Sequence, residues 1–251
     1  MTAVLDIGNA RLKWAMTEGE SLLTASSESH IESWDNAVQS FIDAHPDGVD
    51  RVVATNVAVD ALARLVEATV EKHWDVTVEW LATAKTQLGV TCAYAEPERM
   101  GVDRWVAVLA AHVIAEGPVC VIDAGTAVTF DAVDKGGRHL GGLIMAGPRL
   151  AASSLDCRTP GIGFTNRVPE PISRLDILAS DTDSAVANGT MLALSSALQK
   201  AITIVADELD AMPLILLCGG DSPALLPWLD AKVEYRKDLV LEGIALVAAD
   251  S

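Results

Sequence analysis

One pattern appears twice in this chain and narrows the folds open to it. At 4–15, "VLDIGNARLKWA" runs an apolar strand into Asp-Ile-Gly-Asn and resumes as a second β-like segment; at 120–133, "CVIDAGTAVTFDAV" does the same through Asp-Ala-Gly-Thr. Asp6 and Asp123 stand 117 positions apart in 251 residues. A restart near the midpoint is the mark of an internal duplication, one supersecondary unit used twice.

What surrounds each copy says what kind of unit it is. The first opens with "TAVLDIG", "RLKWAMTEG" and "SLLTASSES", three short β-like segments joined by Gly and polar turns, the pattern of an antiparallel meander. Trp34, Val38, Phe41 and Ile42 then recur at helical spacing before the strand "RVVATN". A second amphipathic helix, roughly 59–71, precedes "TVEWLA", and the stretch from Lys85 to Val102 reads as polar loop. At Asp103 an alanine-rich helix begins, stopped by Gly117-Pro118. The second copy repeats three β-like segments, then predicts helices near 148–155 and 182–209, the strand "PLILLCGGD", and a closing strand and helix in "VEYRKDLVLEGIALVAAD". Strands alternating with helices predict, for each half, a mixed sheet with helices on its faces. The division expected is 1–116 and 117–251. The apolar stripe of the final helix fits its own core as well as a partner.

Composition sets bounds on function. The formal charge is −17 with only 18 Lys and Arg. Nucleic-acid surfaces are built by neutralising phosphates with basic side chains, so such a partner is not expected. No stretch reads as a run of about 18 apolar residues suited to a membrane, and the N-terminus lacks the pattern of a signal peptide, so a cytoplasmic protein with no membrane partner is expected. Cys92, Cys120, Cys157 and Cys218 are far apart without C-x-x-C spacing and read as reduced, mostly buried thiols.

A strand ending in Asp-x-Gly puts a carboxylate where the chain turns. Glycine lets the backbone approach a ligand and adopt φ values that other residues avoid, so the turn can offer N–H groups to phosphate oxygens while the aspartate holds Mg²⁺ or its waters. Two such turns facing one another would clamp a nucleoside triphosphate between the halves, and the glycines of "CGGD" at 218–221 would suit its adenosine side. The plain alternative is that Asp and Gly merely end strands. So acidic a chain must hold a phosphate compound with backbone N–H groups, a metal ion and a few local cations.

Together "DIGN", "DAGT" and "CGGD" resemble the superfamily of acetate and sugar kinases, heat-shock ATPases and actin. Within it, "DIGNARLKW" (6–14), "YAEPERMGVDRW" (94–105), "DAGTAVTFD" (123–131), "HLGGLIMAG" (139–147), "DTDSAVANG" (181–189), "GGD" (219–221) and "DLVLEGIAL" (238–246) resemble the type III pantothenate kinases, over nearly the whole chain and in one order. The resemblance implies an α/β fold of two ribonuclease H-like halves, each a mixed five-stranded sheet flanked by helices, with an ATP cleft between them. It implies transfer of the γ-phosphoryl of ATP to pantothenate, the first step toward coenzyme A. By similarity, the turn Asp6, Ile7, Gly8, Asn9, Ala10, Arg11, Leu12, Lys13 would hold ATP phosphates, with Asp6 on Mg²⁺. Thr126, Gly219 and Gly220 would contact ATP, and Asp123 would belong to a site for K⁺ or NH₄⁺. Tyr94, Gly101, Val102, Asp103, Arg104 and Thr182 would form the pantothenate pocket, with Asp103 as catalytic base, in a homodimer.

Each assignment has a structural rival. Asp103 suits a helix start, Thr182 likewise, and Arg11 and Lys13 suit the wet face of a strand. His139 reads as a loop residue, and no histidine spacing suggests zinc. The chain also departs from the family pattern: Ala10 stands where Thr or Ser is usual, Ala146 where proline is usual, and Met100 for a common leucine. A non-catalytic relative acting as a regulatory binding protein, and a kinase or phosphatase for a sugar, acetate or polyphosphate, are the competing functions.

Overall fold

The computed structural model describes residues 1–158 and 177–250, with the backbone alone for 156–158. The chain divides into two compact units: Met1–Ile114 with the stretch from Asp238 onward, and Ala115–Lys237.

In the first unit, β1 (Thr2–Ile7) pairs antiparallel with β2 (Arg11–Glu18). Two short strands, β3 (Ser21–Leu22) and β4 (Ser26–Ser29), complete the meander against β2. Helix α1 (Trp34–Asp43) is capped by Ser33, whose side chain accepts from the Asn36 N–H, and it buries Ala37, Val38, Phe41 and Ile42. Trp34 of the expected stripe stays 40% exposed. Strand β5 (Arg51–Asn56) pairs parallel with β1, α2 (Asp60–Trp74) follows, and β6 (Val78–Trp80) pairs parallel with β5. The sheet order is β3-β2-β1-β5-β6 with β4 also on β2, so this half has six strands, one more than expected. Leu5, Ile7, Leu12, Phe41 and Val66 are fully buried in its core.

The stretch expected to be loop contains a small hairpin, β7 (Thr86–Gln87) with β8 (Val90–Thr91), and a 3₁₀ turn at Pro97–Arg99. Helix α3 (Val102–Ile114) then buries every residue from Arg104 to Ala111.

The second unit repeats the plan. Strands β9 (Val119–Ala124), β10 (Ala127–Val133) and β11 (His139–Ala146) form an antiparallel meander. Helices α4 (Pro148–Arg158) and α5 (Thr182–Leu209) follow. Next comes β12 (Leu214–Cys218), parallel to β9; α6 (Ser222–Leu225) and a 3₁₀ turn at Leu226–Trp228 precede β13 (Val233–Tyr235). The order β11-β10-β9-β12-β13 matches the path β3-β2-β1-β5-β6 of the first sheet, to which β4 alone is added. The duplication read from the sequence is therefore a duplication of topology.

Two expectations change. The final helix, α7 (Leu239–Asp250), which the sequence division places with the second half, packs on α3, β1 and β3 of the first unit. A Cβ on Gly243 would collide with the Val106 carbonyl, so the missing side chain is what lets α7 lie close against α3. The apolar stripe of this helix is core. Second, α5 is long and apolar enough, by length and composition, to cross a membrane, contrary to the sequence expectation. Its face of Met191, Leu194, Leu198 and Ile202 packs on β9, β10 and β12, as in a core helix.

Candidate active site

The first Asp-x-Gly turn joins β1 to β2. Asp6 is 4% exposed, and Thr55, directly beside it on β5, donates its Oγ1–H to Asp6 Oδ1 at 3.0 Å. Lys13, opposite on β2, brings Nζ to 3.8 Å from Asp6 Oδ2. A carboxylate so enclosed takes its hydrogen-bond donors from the protein rather than from water. The Gly8 N–H donates to Arg11 O at 3.1 Å, and the residues between them, Asn9 and Ala10, are not in the left-handed region. His30, just after β4 and 5% exposed, holds the turn from the side: its ring Nε2 lies 2.7 Å from Gly8 O, and its backbone N–H donates to Ala10 O at 3.2 Å. Arg11 extends along β4 and bonds Ser27 O and Oγ. Ile7 and Leu12 are core residues, so their share in any phosphate contact is the main chain alone.

A second cluster sits at the start of α3. Asp103 is in the first turn and its Oδ1 accepts the Arg104 N–H at 2.7 Å. Oδ1 would also lie 2.7 Å from a Cβ at Gly101, so a side chain there would press on the carboxylate. Arg104 is 7% exposed and donates from Nη1 to the Tyr94 hydroxyl at 3.2 Å. Tyr94, Gly101, Val102, Asp103 and Arg104 thus share one neighbourhood. Residues not anticipated support it: Lys85 Nζ donates to Cys92 O and Tyr94 O, Thr83 Oγ1 donates to Met100 O, and Trp105 Nε1 donates to Gln87 Oε1.

In the second unit, Asp123 is the second-last residue of β9, and the turn through Gly125 and Thr126 leads into β10. Thr126 is exposed and its carbonyl accepts the Gly147 N–H at 3.0 Å. From the end of β12, Gly219 lies so close that a Cβ would collide with Asp123 Oδ1 and Ala124 O. The Asp221 N–H donates to Ala124 O at 2.8 Å, and Arg149 reaches Asp221 Oδ1 at 3.2 Å. Gly220 faces open space. Thr182 is the first residue of α5, after the cap Asp181, whose Oδ1 accepts the Ser184 N–H at 2.8 Å. It lines an apolar groove of about 770 Å³ with Met145, Leu155 and Val186. His139 is not a loop residue: it is 1% exposed on β11 with Nε2 3.1 Å from Asp131 Oδ1.

The left-handed backbone expected of the turn glycines is not found in them. Neither Gly8 nor Gly125 has a positive φ; the nearest atoms to a Cβ there are carbonyl oxygens at 3.4 and 3.6 Å. The left-handed glycine is Gly219, at φ +94°. Thr55, His30 and Lys85 carried no sequence signal, since each acts on a residue with which it shares no motif.

Among the described residues no group of three or more His, Cys, Asp or Glu side chains is gathered to hold a metal ion. That fits Mg²⁺ carried on a nucleotide, which needs one or two carboxylates and takes its other ligands from phosphates and water. Asp6 suits this role.

A family profile for type III pantothenate kinase matches residues 3–203. The chain is 32% identical over 256 residues to a type III pantothenate kinase of Nitrosococcus oceani, covering 100% of this chain and 95% of the relative. A second, from Methylibium petroleiphilum, is 32% identical over 253 residues, covering 98% and 97%. Among solved structures, a conserved putative Baf family transcriptional activator from Campylobacter jejuni aligns with TM-score 0.57 at 19% identity, over 99% of this chain and 98% of that one. An activator of 2-hydroxyisocaproyl-CoA dehydratase from Clostridium difficile with bound ADPNP aligns with TM-score 0.53 at 13% identity, over 99% and 94%. These structural likenesses bear on the fold and agree with two ribonuclease H-like halves. Taken with the full-length sequence matches, they lead to one conclusion: this chain belongs to the type III pantothenate kinase family.

Proposed function

We propose that the protein phosphorylates the primary hydroxyl of pantothenate with ATP, giving 4'-phosphopantothenate and ADP. The observation that carries the reading is the cluster at the start of α3, where Asp103 stands beside the bonded pair Tyr94 and Arg104. In this role Arg104 and Tyr94 bind pantothenate, with Gly101 and Val102 shaping the pocket and Thr182 contributing from α5. Asp103 orients the hydroxyl and accepts its proton late, as the oxygen bonds to the γ-phosphorus and the bond to the bridging β–γ oxygen breaks toward ADP. A loose transition state asks the protein for position and charge neutralisation more than for a strong base, so a carboxylate suffices.

The main chain from Gly8 to Lys13 binds ATP phosphates, and Lys13 supplies a cation where the protein is otherwise acidic. Asp6, oriented by the Thr55 hydroxyl, would hold Mg²⁺, which would supply neutralisation of phosphate charge. Thr126 contacts ATP, the open space beside Gly220 takes its nucleoside side, and Asp123 forms part of the K⁺ or NH₄⁺ site. The protein works in the cytoplasm as a homodimer. The apolar groove beside Thr182 supports a second copy as its cover.

The test is turnover of pantothenate by purified protein with MgATP and K⁺, with product identified by mass. Asp103→Asn is expected to abolish turnover with an unchanged melting temperature, and Na⁺ in place of K⁺ to slow it sharply. Full activity in Asp103→Asn would remove the base, and indifference to Na⁺ would remove the cation site.

A further inference from the structure

We infer that His30 is a positioning residue for the phosphate-binding turn, holding Gly8-Asn9-Ala10 in the shape that presents its N–H groups. The inference rests on the reading of that turn as the ATP phosphate site.

The register ends with Ile7 opposite Leu12, so Gly8 to Arg11 make a four-residue connection, of the kind most often built around a type I turn. Asn9 and Ala10 accordingly have no left-handed φ, and the Gly8 N–H to Arg11 O bond ties the connection. Such a turn leaves main-chain carbonyls that the hairpin does not use, and His30 takes up two of them. Its ring Nε2 is 2.7 Å from Gly8 O and its backbone N–H is 3.2 Å from Ala10 O. A carbonyl oxygen only accepts, so Nε2 carries the proton and donates. His30 is 5% exposed and its bond to Gly8 O is partly buried, so losing the donor leaves that carbonyl with a poorer partner. Ser29 Oγ, 3.5 Å from Ala10 O, adds a weaker support. Because residue 10 has only a methyl group, it offers phosphate its main chain alone, and the geometry there matters the more.

The experiment measures MgATP binding by titration calorimetry, and KM for ATP and for pantothenate, in wild type, His30→Leu and His30→Gln. Leucine fills the space without a donor, whereas the glutamine amide reaches the Nε2 position. The expected result is MgATP affinity about tenfold weaker and KM for ATP about tenfold higher in His30→Leu, the size of one lost buried hydrogen bond. KM for pantothenate should stay within about twofold in that variant, and His30→Gln should recover most of the loss. Equal MgATP affinity in wild type and His30→Leu overturns the inference, as does glutamine no better than leucine. If His30→Leu does not fold, His30→Asn, whose amide is too short, takes its place against His30→Gln with the same criteria. Wild type that binds MgATP with this dependence yet leaves pantothenate unphosphorylated would sink the acceptor and leave His30 standing; no MgATP binding would sink both.

Discussion

Replacing Gly219 by alanine tests the claim that the second turn is closed by a glycine no other residue can replace. Its φ of +94° lies in the region that side chains avoid, and the added methyl would meet Asp123 Oδ1 and the main-chain carbonyl of Ala124. That carbonyl also accepts the Asp221 N–H at 2.8 Å, so it cannot retreat without breaking the bond that fixes the start of α6. A residue in a sparsely populated backbone region costs about 1–3 kcal/mol, and overpacking about as much again, so a loss of about 3–5 kcal/mol is expected. At roughly 2–4 °C per kcal/mol for a chain of this size, the melting temperature should fall by about 10 °C. Gly8→Ala is the control, since φ there is not positive and the nearest atom to a new methyl is Arg11 O at 3.4 Å. Its melting temperature should move by no more than about 3 °C. Thermal unfolding followed by circular dichroism, with KM for ATP on the same samples, reads both. Should the two variants melt together, or Gly219→Ala melt with the wild type, the close-approach reasoning is refuted.

Three further outcomes are expected. Ala10→Thr adds a hydroxyl to the phosphate turn and should lower KM for ATP severalfold; an unchanged value would show that the main chain and Asp6 suffice. Glu79 is held below the ordinary glutamate value near 4.5 by the side-chain hydrogen bond from Arg51, against opposing burial and with added attraction from its charge. A lowered folded value means stability present above the unfolded value and lost as pH falls through the folded one. With side chains 51% and 29% exposed, the pair is worth at most about 1 kcal/mol, so Glu79→Gln should destabilise slightly at pH 7 and hardly at pH 3 in urea titrations. A larger effect at pH 3 would contradict the sign. The Cys120 thiol is pushed up to about 12 by burial and by Asp131 nearby, so it should resist iodoacetamide at pH 8 until the chain unfolds. Rapid labelling of native protein, located at Cys120 by peptide mapping, would contradict it. Cys92 and Cys218 are buried as well, while the Cys157 side chain lies outside the described residues.

Local order was written in the sequence. Apolar periodicity placed β1, β2, β5, β9, β10 and β12 and the long helices, because period 2 and period 3.6 are properties of neighbouring residues. The restart at "CVIDAGT" foretold two sheets of one topology, and "YAEPERMGVDRW" marked a cluster whose members lie within twelve positions. What only the tertiary structure decided are contacts between distant residues, which leave no local trace. The Thr55 hydroxyl reaches Asp6 across 49 positions, and His30 reaches Gly8 across 22. Packing through Gly243 placed α7 with α3 rather than with the strand that precedes it, where sequence order alone puts it. Both turns carry Asp-x-Gly, yet the left-handed glycine of the second site comes from β12, because φ is set by where the chain must pass and not by the tripeptide alone.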